Sequence, residues 1–414
     1  MHRNTEEFTV FPVDGTWYHL HVLVWLKHGG VGVAAIGSAF AAAYLAGSLG
    51  MGSVHFSKTQ SVASTTSIVA STSEAAIETR YPAVLDKEDY DRRLLALTGY
   101  VPPATTTLTI PATADTPTTT REVPPVSPLI YASSTNVTVK GSRWPAEAPY
   151  PEGGAILPFK RIVAYYGNFY STKMGILGEF DPEVVLGRLA DTTAAWEKAD
   201  PDTPVLPAVE YIASVAQAGA GTDGMYRAVM PEAEIEKAYA LAQETHGILI
   251  LDIQIGLSSI EKELPKYRKY LERPDVHLAI DPEFAMKYGN PPGTVIGTFD
   301  AADVNYTIGY LADIVKEKEL PPKVLIVHRF TYPMVTNYQD IAPQKEVQVV
   351  MNMDGWGGQD LKRTTYRQAI EGEPVQFAGI KLFYKNDLKP PSTGLLTPSE
   401  VLSLHPKPIY IQYQ

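Results

Sequence analysis

The sequence predicts an α/β protein, a (β/α)8 TIM-like barrel over residues 156–414, preceded by one transmembrane helix and a long extended tract rich in Ser, Thr and Pro. Three observations carry this. From Phe159 onward, short apolar segments alternate with amphipathic ones, the signature of βα units on a parallel sheet. Residues 29–54 contain no charged side chain. Residues 55–155 are dominated by runs such as STTSIVASTS and PPATTTLTIPATADTPTTT, which hold too little apolar surface to fold alone.

The order of elements follows from local pattern. Residues 1–28 read as an N-terminal interfacial segment, because Trp17, Tyr18 and Trp25 stand where a headgroup layer would begin. Gly29–Val54 is long enough to cross a bilayer as a helix. Its small residues recur four apart (Gly37 with Ala41, Ala39 with Ala43, Ala43 with Gly47), a spacing that admits a second helix. Arg3 and Lys27 before the span, against Lys58 after it, orient the N-terminus inside and the barrel on the extracytoplasmic side. Within the 55–155 tract one helical island is expected at Leu85–Thr98, where Leu94, Leu95 and Leu97 form an apolar face. Ordering a tract of this kind costs about 1–2 kcal/mol per residue, so a partner surface is the expected holder.

The barrel strands are read as 161–167, 204–212, 247–256, 276–284, 323–330, 347–355, 378–384 and, at the C-terminus, 408–414. Helices are read between them at 181–200, 231–246, 258–275 and 301–320, with apolar residues at spacings of three and four. This makes seven or eight units in about 255 residues, the size of a (β/α)8 barrel. A doubly wound open sheet would usually carry a glycine-rich phosphate loop after its first strand, where this chain has YYGNFYST.

Composition narrows the function classes. A net charge of −11 argues against a nucleic-acid partner, and the absence of cysteine removes disulfides, thiolate metal sites and a cysteine nucleophile. The serine-hydrolase elbow G-x-S-x-G and the zinc motif H-E-x-x-H are both missing. What remains lies at the strand ends, where residues two apart share the barrel interior. Asp252 and Gln254, Asp281 and Glu283, and Asn352 and Asp354 end three strands, with Tyr166, Glu210, His328, Lys381 and Tyr384 on others. Paired carboxylates with aromatics nearby suit glycoside hydrolysis. In that reading Glu283 is the acid and Asp281 or Asp354 its partner, while Tyr166, Asp252, Gln254, His328, Trp356, Lys381 and Tyr384 line a pocket for a glycan. The carboxylate oxygens also suit Mg²⁺ or Ca²⁺, but no spacing motif selects a metal, and no cofactor is expected.

The runs YYGNFYSTKMGILGEF, DGMYR, LDIQIG, LAIDPEF, VLIVHRFT, MDGWGG, KLFY and YIQYQ resemble a group of uncharacterised bacterial exported barrel proteins distantly similar to glycoside hydrolases, over about residues 159–414. The resemblance implies the barrel and a pocket at its mouth, and supplies no substrate. The chain departs from that group in its span, its tract and its lack of a lipid-bearing cysteine. Extrinsic subunits of large bacterial membrane assemblies, photosynthetic reaction-centre and antenna complexes among them, share this layout. Two functions are therefore expected: first, a membrane-anchored accessory subunit that braces a larger complex, with integral membrane proteins and lipid as partners; second, a membrane-tethered carbohydrate-active enzyme.

Overall fold

The computed structural model describes residues 84–100, 106–110, 119–123, 129–130 and 134–414. The span expected at 29–54 and the interfacial segment 1–28 lie outside the described residues. Among the described residues no helix is long and apolar enough to cross a membrane.

Helix α1 (Lys87–Leu97) matches the expected island and is capped by Asp86, whose side chain accepts a hydrogen bond from the Asp89 amide at 3.0 Å. Eight parallel strands then form the barrel: β1 (Arg161–Gly167), β2 (Val205–Ala216), β3 (Ile248–Ile253), β4 (Val276–Ile280), β5 (Lys323–Arg329), β6 (Val347–Met353), β7 (Phe377–Leu382) and β8 (Tyr410–Tyr413). Each pairs with the next in chain order, and β8 closes onto β1 in the register Tyr410–Ile162 to Tyr413–Tyr165. Strand β2 overruns the barrel and pairs antiparallel with Arg227–Val229.

Helix α2 (Pro182–Ala199) follows β1, α3 (Glu232–Glu244) follows β2, and α4 (Ala301–Lys318) follows β4. The capping box of Asp300 and Asp303 starts α4. The helix expected at 258–275 is instead three short pieces, Ile260–Glu263, Leu264–Tyr267 and Arg268–Leu271, because Pro265 removes a backbone donor from its middle. After β5 the chain makes two 3-10 turns, Tyr332–Met334 and Tyr338–Asp340, in place of a helix. Helix α5 (Gln359–Tyr366) runs into a π turn before β7.

Alternation along the strands creates two apolar layers. Outward residues such as Val163, Leu249, Leu251, Val327 and Met351 pack on Val185, Leu189 and Trp196 of α2 and on Val304, Ile308 and Leu311 of α4. Inward residues of the lower barrel, Ile162, Ala164, Leu206, Ala208, Ile248, Ile250, Val324, Ile326 and Val350, form a second cluster. That cluster also contains Tyr90, Leu94, Leu95 and Leu97 of α1 together with Val137, Ile156 and Leu157. The segment before β1 therefore seals the N-terminal end of the barrel.

Polar contacts fasten this seal. Asp91 accepts from the Val137 amide at 3.1 Å and from the Tyr150 hydroxyl at 2.6 Å. The Gln348 side chain accepts from the amides of Ile156 and Leu157, both at 3.0 Å, and donates to the Leu157 carbonyl at 2.6 Å. For the described residues 84–100 and 134–157, the surface that holds the tract is thus the chain's own barrel, whereas the sequence suggests a partner.

Leu94 is 3% exposed and sits in this seal. Leu94→Ala is expected to lower the unfolding free energy by about 2–5 kcal/mol, the cost of a cavity in a packed core. Urea denaturation checks this, and a loss below about 0.5 kcal/mol, typical of a surface substitution, would show that α1 is not part of the core.

Candidate functional site

Above the apolar layer the inward positions turn polar. Tyr166 of β1, Glu210 of β2, Asp252 of β3, His328 of β5, Asn352 of β6, Lys381 of β7, and Tyr410 and Gln412 of β8 are all buried. Contacts between strands that are not neighbours place them on the barrel axis. Glu210 accepts from Gln412 Nε2 at 2.6 Å and from the Tyr410 hydroxyl, and its Oε1 lies 3.3 Å from His328 Nε2. Asn352 Nδ2 donates to Gln412 Oε1 at 3.0 Å. The Tyr166 hydroxyl donates to Asp252 Oδ2 at 3.0 Å, and Gln254 Nε2 donates to Asp281 Oδ2 at 3.2 Å. Lys381 Nζ sits 3.6 Å from the centre of the Tyr166 ring. Gly379 is required here, since a Cβ at that position would stand 2.8 Å from the Tyr410 ring and 2.9 Å from Asn352 Oδ1.

The mouth holds three carboxylates. Asp281, Glu283 and Asp354 each offer an oxygen, and these oxygens all lie within 4.8 Å of one another. The expected strand 276–284 ends at Ile280, so Glu283 does not follow the pleat. Instead Asp281 accepts from the Glu283 amide at 3.0 Å and caps a 3-10 turn, Pro282–Phe284, that brings Glu283 back over the mouth. Asp354 follows the end of β6 and lies 3.4 Å from His328 Nδ1. Buried Lys362 pins the rim by donating to the carbonyls of Gly355 and Lys381 at 2.8 and 2.7 Å, with Asp387 Oδ2 at 3.0 Å.

This environment shifts the titration of several groups. Burial, reinforced by Asp281 and Asp354, holds the Glu283 carboxyl well above the usual range. Burial raises Asp281 to about 6, with His328 pulling the other way and Asp354 adding to the rise. Burial likewise raises Asp252 to about 8 against the pull of His328. For His328, burial works against the imidazolium, but the Glu210 hydrogen bond and the charges of Asp354 and Asp252 outweigh it and push the ring up to about 9.

Most of the expected residues thus come together: Glu283, Asp281 and Asp354 at the mouth, with Tyr166, Asp252, Gln254, His328 and Lys381 below or beside them. Two do not join. Trp356 is half-buried in the loop after β6, where Lys389 Nζ lies 5.2 Å from its ring centre. Tyr384 belongs to the outside of the barrel, stacked on Tyr413 at 5.2 Å, because it stands three residues beyond the inward Lys381. Tyr384 lines a cavity of about 590 Å³ between α2 and the ends of β7 and β8, which Tyr165, Arg188, Thr192 and Phe383 also line. None of the three mouth carboxylates borders that cavity. Sequence reasoning overlooked Tyr410 and Gln412, although the alternation in YIQYQ places them on one face. Among the described residues, two groups have metal-compatible donors, namely the mouth carboxylates and, deeper, Glu210, Asp252 and His328.

No protein-family model matches the chain, and no curated protein matches it at a significant level. No activity is therefore carried over from a relative.

A carboxyl raised in the folded state contributes stability that is present below its unfolded value, near 4, and lost as pH rises through its folded value. Asp281 and Glu283 both act in this sense, so the protein is expected to lose stability from about pH 4 through pH 6 and beyond. Glu283→Gln mimics the protonated acid, so the variant should match the parent at pH 4 and exceed it at pH 8 in urea unfolding. Equal pH profiles for the two proteins would refute the raised acid.

Proposed function

We propose that the chain is a membrane-anchored accessory subunit, with a single span at 29–54, that braces a larger membrane protein complex through an extracytoplasmic barrel. Its partners in this reading are integral membrane proteins and lipid. The observation that supports it is the attachment of residues 84–100 and 134–157 to the barrel base through Leu94, Leu95 and Gln348, with Asp91 tying α1 to Val137 and Tyr150. A stalk that carries an enzyme gains reach by staying free along its length, whereas a brace must transmit position. The polar interior also saturates many of its own donors and acceptors, and the 590 Å³ cavity lies away from the mouth carboxylates.

The test is gentle detergent extraction of the full chain from native membranes, followed by sizing and mass spectrometry. The chain is expected to migrate with a stoichiometric set of integral membrane proteins. Migration alone, at a mass near its own 45.3 kDa plus detergent, would overturn the reading.

A second reading, a membrane-tethered carbohydrate-active enzyme, is favoured by one observation. The carboxyl oxygens of Asp281, Glu283 and Asp354 lie within 4.8 Å of one another, so paired carboxyls meet at the mouth as glycoside hydrolysis requires, and burial raises Glu283, the candidate acid. In this reading Glu283→Gln should lower hydrolysis of a responsive glycan by about 100-fold or more. Equal turnover by parent and variant would remove it.

A further inference from the structure

Below the mouth, Glu210 of β2, Asp252 of β3 and His328 of β5 converge from three strands. All three are buried, at 0, 0 and 1% exposure, and their donor atoms lie within 4.8 Å of one another. Each has one atom engaged by a neighbour. Glu210 Oε2 accepts from Tyr410 and from Gln412, the latter at 2.6 Å. Asp252 Oδ2 accepts from Tyr166 at 3.0 Å, and His328 Nδ1 lies 3.4 Å from Asp354 Oδ2 and 3.3 Å from Asn352 Nδ2. Glu210 Oε1 and His328 Nε2 are engaged only by each other, and Asp252 Oδ1 remains. Asp252 Oδ1 has no hydrogen-bond partner among the described residues although it is fully buried.

The spacing of the leftover atoms is informative. Glu210 Oε1 and His328 Nε2 stand 3.3 Å apart. A charge-assisted N–H···O bond is usually about 2.7–2.9 Å long, so this pair is loose as an ion pair. Two ligands on a tetrahedral ion with bonds of about 2.0–2.2 Å lie about 3.4 Å apart, close to the separation seen. A carboxylate oxygen of Asp252 lies within 4.8 Å of the donor atoms of both. The far ring nitrogen of His328 faces Asp354 Oδ2 at 3.4 Å, as the second nitrogen of a metal-bound imidazole commonly faces a carboxylate.

We propose that Glu210, Asp252 and His328 form a binding site for a divalent transition-series cation such as zinc, oriented by Tyr410 and Gln412, by Tyr166 and by Asp354 respectively. One imidazole and two carboxylates suit zinc, whereas Mg²⁺ and Ca²⁺ prefer six or more oxygens. The mouth group lacks a nitrogen donor and stands beside Lys381, so it is the poorer site. The proposal does not depend on whether the barrel braces a complex or cleaves a glycan.

The test uses the full chain in detergent, stripped with EDTA and titrated with Zn²⁺, with bound metal counted by elemental mass spectrometry and Co²⁺ substitution read by visible absorption. About one equivalent is expected, with Co²⁺ bands of a low-coordinate nitrogen and oxygen site. Asp252→Asn and His328→Gln should each weaken binding by at least about 10-fold, whereas His405→Gln and the double variant His19→Gln/His21→Gln should leave it unchanged. Should the interior variants fail to fold, Tyr166→Phe, which removes the hydroxyl that donates to Asp252 Oδ2 and accepts from Gln254 Nε2, is expected to weaken binding about 10–100-fold. Absence of a bound equivalent, absence of the Co²⁺ bands, or affinity unchanged by Asp252→Asn, His328→Gln and Tyr166→Phe would each overturn the site. Loss of the equivalent in the His19/His21 variant would do the same.

Discussion

The upper barrel depends on one buried carboxylate. Glu210 points into the axis from β2 and is held by Tyr410 and Gln412 of β8 and by His328 of β5. A charge in that position is tolerable only because donors from two other strands converge on it, and removing them would leave it uncompensated at a cost of several kcal/mol. The same contacts tie strands that never pair with β2, so they fix its position in the closed barrel. Asn352 and Asp354 are placed through this group in turn, the first by Gln412 and the second by His328.

The lower barrel follows a different rule. Its inward residues are small or aliphatic, and the axis there is completed by α1 and by Ile156 and Leu157 from outside the (β/α)8 unit. An open barrel end would expose these side chains to water, at roughly 25 cal/mol per Å² of apolar surface. Residues 84–100 and 134–157 of the polar tract cover that end. The entropy each of their residues loses is offset by a surface that the barrel already presents.

Much of this was legible in the sequence. Eight apolar segments at regular spacing gave the strands, and alternation in LDIQIG and VVMNMD gave the inward polar residues, because a closed parallel sheet leaves no other arrangement. The α1 island was visible from Leu94, Leu95 and Leu97, but its target was not, since periodicity reports a face and not what covers it. Glu283 stands at the mouth through a 3-10 turn capped by Asp281, and turn geometry is not contained in a two-residue period. Tyr384 was misplaced because the period was extended past the end of β7. Trp356 lay in a loop, where no period applies. Tyr410 and Gln412 were overlooked because their importance is a property of Glu210, which sits 200 and 202 residues away.

The polar upper layer bears on what the barrel is for. If bracing were its only task, a core of aliphatic residues in place of Glu210, Asp252 and His328 would be neutral or stabilising, since buried ion pairs seldom repay their desolvation against well-packed apolar groups. Interior hydrogen bonding explains Glu210 and Gln412 but not Asp252, which keeps a fully buried oxygen with no hydrogen-bond partner among the described residues. Asn352 Oδ1 and Asp354 Oδ1 are likewise buried without a partner, so packing leaves three oxygens of this interior unaccounted for, and the proposed cation would account for that of Asp252. A bound ion would link β2, β3 and β5 at one point, stiffening the barrel between its sealed base and its mouth. The metal site and the bracing role are then compatible, because an ion on the axis serves the rigidity that a brace requires.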